Sequence, residues 1–262
     1  MYALTARVQP CGLYSLRLPY THQSALVYPL PPPSTVLGLV ANALYLHRGP
    51  LPAFQKTLAK TEPYSELLAR GFAPAPLACL AEVETKARAV AAAPEGKVVV
   101  RSAMVKAVTD LAKGTTNALP RQFAHTRTLR LRVGSADADW LQRCAEALRQ
   151  CPLTLGDSES PIHVEEARVL PAEPVEVQPG EVVETACYLP YALLSDCRGV
   201  GSAFFVHERC AGAKELRLYR FPLAHRGGAH EPCLLSGRAA QPFSAFRLGP
   251  SLLCVARDQP PS

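Results

Sequence analysis

The nine cysteines of this 262-residue chain, at positions 11, 79, 144, 151, 187, 197, 210, 233 and 254, include no C-x-x-C pair. Without paired short spacings there is no ligand set for a structural zinc. An odd count in a chain read as intracellular fits reduced, mostly buried thiols, with one or two disulfides left open for a hyperthermophile source. Charge is also scarce: 19% of residues are charged, against about 25% in ordinary soluble domains, which points to surface covered by partners. Lysine is scarcer still, because the 28 basic residues are 21 Arg and only 7 Lys; arginine is the side chain suited to planar, bidentate contact with phosphate. No hydrophobic run is long enough to cross a bilayer, since the longest, Val36 to Leu46, ends at His47-Arg48. No leader is visible, as Met1 opens directly into an alternating segment, and a soluble cytoplasmic chain without membrane contact is expected. No repeat of 20–50 residues is present. What is there is a hydrophobic content of 48%, which excludes disorder and permits a sizeable core.

The net charge of +6 is segregated along the chain. Residues 86–132 hold 10 basic and 2 acidic side chains, residues 133–200 hold 4 and 12, and residues 201–262 hold 8 and 4. A block of +8 in fewer than fifty residues has the electrostatics of a polyanion footprint. On charge alone, a solvated basic face balanced by the acidic block explains it equally well.

Residues 2–9 alternate, with Leu4, Ala6 and Val8 on one face, and predict a half-buried strand. Pro31-Pro32-Pro33, the hydroxyls Ser34 and Thr35, and apolar residues at 36, 37, 39, 40, 43 and 44 predict a helix from a hydroxyl N-cap to about His47. A second helix is expected within 53–71, and irregular chain over 72–97. Val98-Val99-Val100 reads as a strand and Thr128–Val133 as its partner, with a long excursion at 103–127 between them. Connections of that length are usually functional or disordered. Residues 137–150 predict an amphipathic helix with Trp140, Leu141, Cys144, Ala145 and Leu148 on its apolar stripe, stopped by Pro152. Residues 162–170 predict a further strand, and strands such as Leu216–Phe221 follow. The order strand, helix, strand, strand, helix, strand is βαββαβ, that of ferredoxin-like and RNA-recognition modules. The expected fold is therefore α+β: a domain over 1–175 with a long β-hairpin at about 98–133, and a β-rich extension over 176–262 packed on it.

Three segments resemble a known family. Tyr28-Pro29-Leu30-Pro31-Pro32-Pro33-Ser34-Thr35-Val36-Leu37-Gly38 is similar to the P-x-P-P-[ST]-T-x-x-G opening of the first helix in the fifth CRISPR-associated (Cas) protein family, RAMP-superfamily subunits of the type I Cascade. Leu155-Gly156-Asp157-Ser158-Glu159-Ser160 resembles the LGDSES element of its archaeal type I-A branch, and Arg121-x-Phe123 resembles the motif before the third strand. The similarity spans about residues 1–170. It implies a non-catalytic subunit that holds the 5′ handle of the crRNA and uses its long hairpin as a thumb. The implied neighbours are the Cascade backbone subunit and the large subunit, with target DNA met through the complex; no cofactor is implied. In one other branch this subunit cuts precursor RNA, a task that type I-A assigns to a separate endoribonuclease.

The candidate RNA-binding residues follow. In and beside the thumb, Lys106, Lys113, Arg121, Arg127, Arg130 and Arg132 have the chemistry to pair with phosphates, Phe123 that to stack on a base, and His125 lies among them. At the first helix, Ser34 and Thr35 sit at the positive end of the dipole and Gly38 permits close approach. The plainer roles are arginines capping acidic neighbours, Phe123 packed on the sheet, and an ordinary helix cap. Asp157 and Glu159 read as a turn rather than a metal pair, and Arg226-Gly227-Gly228-Ala229-His230 as a flexible basic loop. Two other functions remain open. One is a metal-independent RAMP endoribonuclease with His125 as general base beside Tyr28 or Lys106. The other is a ferredoxin-like protein-interaction module with no RNA ligand.

Overall fold

The computed structural model describes residues 1–19, 26–48, 74–110, 115–156, 160–197, 201–210, 213–249 and 252–255. Strand β1 (Tyr2–Pro10) buries Leu4, Ala6 and Val8 as its alternation predicts. Helix α1 (Pro33–Arg48) begins at Pro33, a residue that suits the first helical position because its missing N–H has no intrahelical partner there. Helix α2 (Pro74–Lys86) follows, and Cys79 and Val83, four residues apart, are buried. Next come β2 (Ala89–Pro94), β3 (Val98–Asp110), β4 (Thr115–His125) and β5 (Leu129–Ser135). Helix α3 (Ala138–Gln150) opens on Asp137, whose side chain accepts a 2.8 Å hydrogen bond from the Trp140 amide. Strands β6 (Leu153–Thr154) and β7 (Pro161–Pro171) complete this half of the chain.

The main sheet has the order β2-β5-β1-β7-β6, antiparallel throughout. Its first face, carrying Leu4, Ala6, Val8, Leu129, Leu131 and Val133, shares one core with the buried stripes of α1 and α3. Two expectations are corrected here. β5 pairs with β1 and β2, not with residues 98–100, and of the stretch expected to be irregular 74–94 holds α2 and β2. The reason is β2's composition. Alanine has little β propensity, and a strand buried on both faces does not alternate. Small residues are required there by packing: Ala89 and Ala91 lie in a second cluster with Phe246 and Leu248 from the C-terminal half. The helix expected within 53–71 falls outside the described residues.

β3 and β4 form the long hairpin, paired from Val99↔His125 to Asp110↔Thr115. The remaining strands are β8 (Glu173–Val177), β9 (Val182–Thr185), β10 (Leu189–Pro190), β11 (Leu194–Ser195), β12 (Ser202–Cys210), β13 (Ala213–Phe221), β14 (Leu223–Arg226), β15 (Ala229–Pro232), β16 (Leu235–Ala239), β17 (Phe243–Leu248) and β18 (Leu252–Val255). They pair into small antiparallel sheets, so the molecule is a mixed α/β protein with few helices. β15 also pairs with β3, which builds the hairpin into a four-stranded sheet of order β14-β15-β3-β4. The segment expected to be a flexible basic loop is instead a tight turn. Gly227 and Gly228, with φ of +56° and +78°, connect β14 to β15 as the two left-handed residues of a two-residue hairpin. Among the described residues, no helix is long and apolar enough to cross a membrane.

Candidate nucleic-acid interface

The hairpin gathers several of the singled-out residues by strand alternation. Arg121, Phe123 and His125 lie at every second position of β4, hence on one face, and Arg101 of β3 stands directly opposite Phe123. The Arg121 guanidinium sits 5.0 Å from the centre of the Phe123 ring, a cation–π contact. Its Nε donates to the Ser15 hydroxyl at 3.2 Å, which anchors it to the chain running beside β4. Arg101 is exposed, and its Nη1 donates to the Val100 carbonyl at 3.3 Å. Arg127, just past β4, is exposed and forms no ion pair among the described residues. The backbone of Lys106 lies opposite Ala118 on the hairpin; Lys113 falls outside the described residues.

The arginines of β5 are placed differently from one another. Arg130 pairs with Glu95, which also accepts a 2.8 Å hydrogen bond from Arg7 Nε, while Arg7 Nη1 lies 2.6 Å from Glu165. Burial alone would raise the Glu95 carboxyl, but the Arg7 hydrogen bond and the nearby Arg130 charge outweigh it and hold it below the usual carboxylate range. Arg132 is only 3% exposed, and its Nη1 has no hydrogen-bond partner among the described residues. It stands between Thr5 of β1 and Ala91 of β2 on the face that also carries Phe246 and Leu248. Grouping Arg130 and Arg132 by their common strand face therefore joined a half-exposed, paired cation to a buried one.

At the first helix, Ser34 and Thr35 lie inside the first turn rather than capping it. The Thr35 and Val36 amides donate to the Pro32 carbonyl at 2.9 and 3.2 Å, so the chain itself satisfies most of this helix start. Around Gly38 an added Cβ would meet nothing within 4 Å, so the helix surface is open there. In the segment Leu155–Ser160, the ends are structural. The Leu155 amide donates to the Ser160 carbonyl at 2.8 Å, and the Ser160 hydroxyl donates to the Leu13 carbonyl at 3.0 Å. Asp157 and Glu159 lie outside the described residues.

Two of the residues considered for cleavage chemistry, Tyr28 and His125, have separate partners. The Tyr28 hydroxyl donates to the Phe205 carbonyl, its ring lies among Phe204 and Phe221, and burial drives its pKa upward, away from proton transfer. His125 is exposed, with Nδ1 3.3 Å from the Gly12 carbonyl oxygen. Among the described residues no cluster of His, Cys, Asp or Glu could hold a metal ion.

Sequence reasoning missed two features. Arg101 was hidden inside an apparent valine strand, although its spacing of two from Val99 marks the face opposite Val98 and Val100. A half-open cavity of about 460 Å³ beside the hairpin, bordered by Gln122, Phe204, His225 and His230, is assembled from segments that no local pattern links.

No family model and no curated protein matches this sequence. Among solved structures, the chain is similar to a CRISPR protein from Archaeoglobus fulgidus, with a TM-score of 0.58, 13% identity, and 98% of this chain and 100% of that one covered. A chain of a CRISPR RNA-guided surveillance complex aligns with a TM-score of 0.43 and 14% identity over 92% of this chain and 91% of that one. A chain of a type III-B Cmr-beta complex bound to cognate target RNA and AMPPnP aligns with a TM-score of 0.41 and 9% identity, covering 90% and 86%. At 13% identity the likeness to the Archaeoglobus protein is one of architecture: this chain folds as that CRISPR-associated protein does.

Proposed function

We propose that this protein is a non-catalytic RNA-binding subunit of a CRISPR effector complex of the type I-A Cascade class, holding the 5′ handle of the guide RNA. The observation that carries the reading is the hairpin face on which Arg101, Arg121, Phe123 and His125 stand together, with exposed Arg127 at its base. Guanidinium groups beside an aromatic ring suit a single-stranded RNA, whose phosphates take the cations and whose unpaired bases stack. Two further observations support it. The strand order β2-β5-β1-β7, with α1 and α3 on one face, is the arrangement expected of a ferredoxin-like RAMP domain, and the architecture is that of a CRISPR-associated protein. On this reading the partners are the backbone and large subunits, target DNA is met through the complex, and the chain works in the cytoplasm.

The test is a gel shift in EDTA with guide RNA whose 5′ handle is intact, deleted or scrambled. Handle-dependent binding without cutting is the expected result. Cleavage would establish the endoribonuclease reading, and binding indifferent to the handle would remove the handle assignment. Arg121→Ala combined with Arg127→Ala should weaken RNA binding about 10-fold or more and flatten its salt dependence, as expected for two lost phosphate contacts. Unchanged affinity in that variant would remove the thumb from the interface.

A further inference from the structure

Between β1 and α1 the chain passes along the β4 edge of the hairpin, and residues 12–16 are fixed to it. Tyr14 and Ala124 exchange both backbone hydrogen bonds, at 2.9 and 2.8 Å, and the Tyr14 hydroxyl donates to the Pro29 carbonyl at 2.7 Å. Tyr14, Ser15 and Leu16 are all buried, so the segment is held in one register by close packing.

The Leu155–Ser160 turn packs against the same segment. The Ser160 hydroxyl donates to the Leu13 carbonyl at 3.0 Å, and the Cys11 amide donates to the Pro161 carbonyl at 2.9 Å. At Gly156, with φ of +90°, an added Cβ would lie 2.5 Å from the Ser15 carbonyl oxygen, so glycine is what lets the turn come this close.

Ser15 links this turn to the basic face. Its side chain is buried, and its O–H donates to the Gln122 carbonyl at 3.3 Å, which turns a lone pair to the Arg121 Nε–H at 3.2 Å. Nε is the nitrogen nearest the aliphatic stem. This bond therefore sets the plane of the guanidinium without using the terminal nitrogens that grip a phosphate in pairs. The guanidinium carbon lies 5.0 Å from the centre of the Phe123 ring. The Gly12 carbonyl oxygen stands 3.3 Å from His125 Nδ1, so the segment touches two side chains of this face.

An arginine that is ordered before RNA arrives loses less freedom on binding than one that is not. We infer that residues 12–16 are a positioning strap: Ser15 holds the Arg121 guanidinium in the orientation that meets a phosphate beside Phe123, and the Leu155–Ser160 turn holds the strap. Ser15 is a positioning residue, acting on RNA through Arg121. This rests on the RNA-binding reading above, and gives the Leu155–Ser160 turn a part in it.

The test is a double-mutant cycle, read by anisotropy of fluorescein-labelled guide RNA with an intact 5′ handle. Ser15→Ala should weaken binding about 5-fold, the scale of one side chain that is no longer preordered. Its salt slope should match the wild type, because the charge is retained, whereas Arg121→Ala should lower the slope by about 0.7. In the Arg121→Ala background, Ser15→Ala should change affinity less than about 2-fold. Ser160→Ala, which frees the strap at Leu13, should weaken binding in the same Arg121-dependent way. An equal loss from Ser15→Ala in both backgrounds, or wild-type affinity in Ser15→Ala, overturns the strap and leaves the hairpin reading standing. No binding by the wild type, or no loss from Arg121→Ala, overturns both. A measurement on the unmutated chain stands even if a variant fails to fold. In ¹⁵N relaxation the Arg121 Nε–H should be nearly as ordered as the backbone, and mobility equal to that of exposed Arg127 overturns the strap.

Discussion

At the scale of single residues, Glu95 sets how much of the Arg7 and Arg130 charge is left unpaired on the main sheet. One carboxylate engages both Arg7 and Arg130, and these exposed pairs contribute little to stability, about 0–1 kcal/mol each. Glu95→Gln should therefore leave the thermal midpoint nearly unchanged while releasing the Arg130 guanidinium, since Arg7 keeps its ion pair with Glu165. If the RNA path crosses this part of the sheet, the variant binds single-stranded RNA more tightly and its salt slope steepens by about 1; anisotropy titrations between low and moderate salt measure both. An unaltered slope would place the RNA path elsewhere. The charge of Arg130 was legible in the sequence, but its partner Glu95 is 35 residues away and could not be read from spacing. Gly156 shows the opposite case, a short motif whose meaning is geometric. Its φ is +90°, and an added Cβ would lie 2.5 Å from the Ser15 carbonyl oxygen and 2.7 Å from Leu16 Cδ2. Gly156→Ala must therefore strain both the turn and the chain beside β4, at a cost of about 2–3 kcal/mol that urea unfolding would register as a lower midpoint with an unchanged slope.

At the scale of elements, what was legible depended on whether an element carries its own signal. α1 and α3 announce themselves by apolar period and by their starts, and the structure places both close to the expected bounds. The reason is local: proline at the first helical position in α1, and the Asp137 side chain on the Trp140 amide in α3. Asp137 also accepts a 2.8 Å hydrogen bond from Lys86 Nζ, tying the end of α2 to the start of α3. Asp137→Ala should lower the melting temperature by about 2–4 °C, with Asp137→Asn or Ser recovering most of it, because the cap and not the charge supplies the larger part. Full loss in Asn as well would instead make Lys86 the dominant partner. β2 had no comparable signal. Its alanines are chosen by the approach of Phe246, whose ring carbons would lie 3.3 Å from a Cβ added at Gly134, next to Ala89. That constraint comes from a strand more than 150 residues later in the sequence, so it is invisible to any window of the chain.

At the scale of the whole molecule, the decisive fact is that the two halves share one core. Tyr188, Val206, Tyr219, Phe221 and Leu223, all beyond residue 175, belong to the same buried cluster as Tyr28, Val36 and Val98. Phe221 is fully buried and stacks between Tyr28 and Tyr188, with ring centres 6.2 and 5.2 Å away. Backbone pairing crosses the boundary as well, since β15 supplies a neighbour for β3 and β17 pairs with β8. Five buried side chains at about 1.5–3 kcal/mol each amount to as much as the typical net stability of a domain, about 5–15 kcal/mol. A chain ending at residue 175 would keep the five strands of the main sheet yet expose Tyr28 and the valines at the start of β3, and leave that strand without β15. The expected outcome is a fragment with strand and helix signal in far-UV circular dichroism but poorly dispersed amide resonances and no sharp thermal transition. A soluble fragment that unfolds cooperatively would overturn the shared-core argument and make the C-terminal half a separable module. On the proposed function the same coupling bears on RNA binding, because β14 and β15 brace the base of the hairpin from its other edge. Phe221→Ala, which keeps the full chain and opens a cavity at the junction, should destabilise the protein by about 3–5 kcal/mol. Because Phe221 is fully buried and is none of the side chains of the basic face, RNA affinity per folded molecule should stay within about 2-fold of wild type, well under one phosphate contact. A much larger loss would mean that the hairpin's orientation, and not only its residues, depends on this joint.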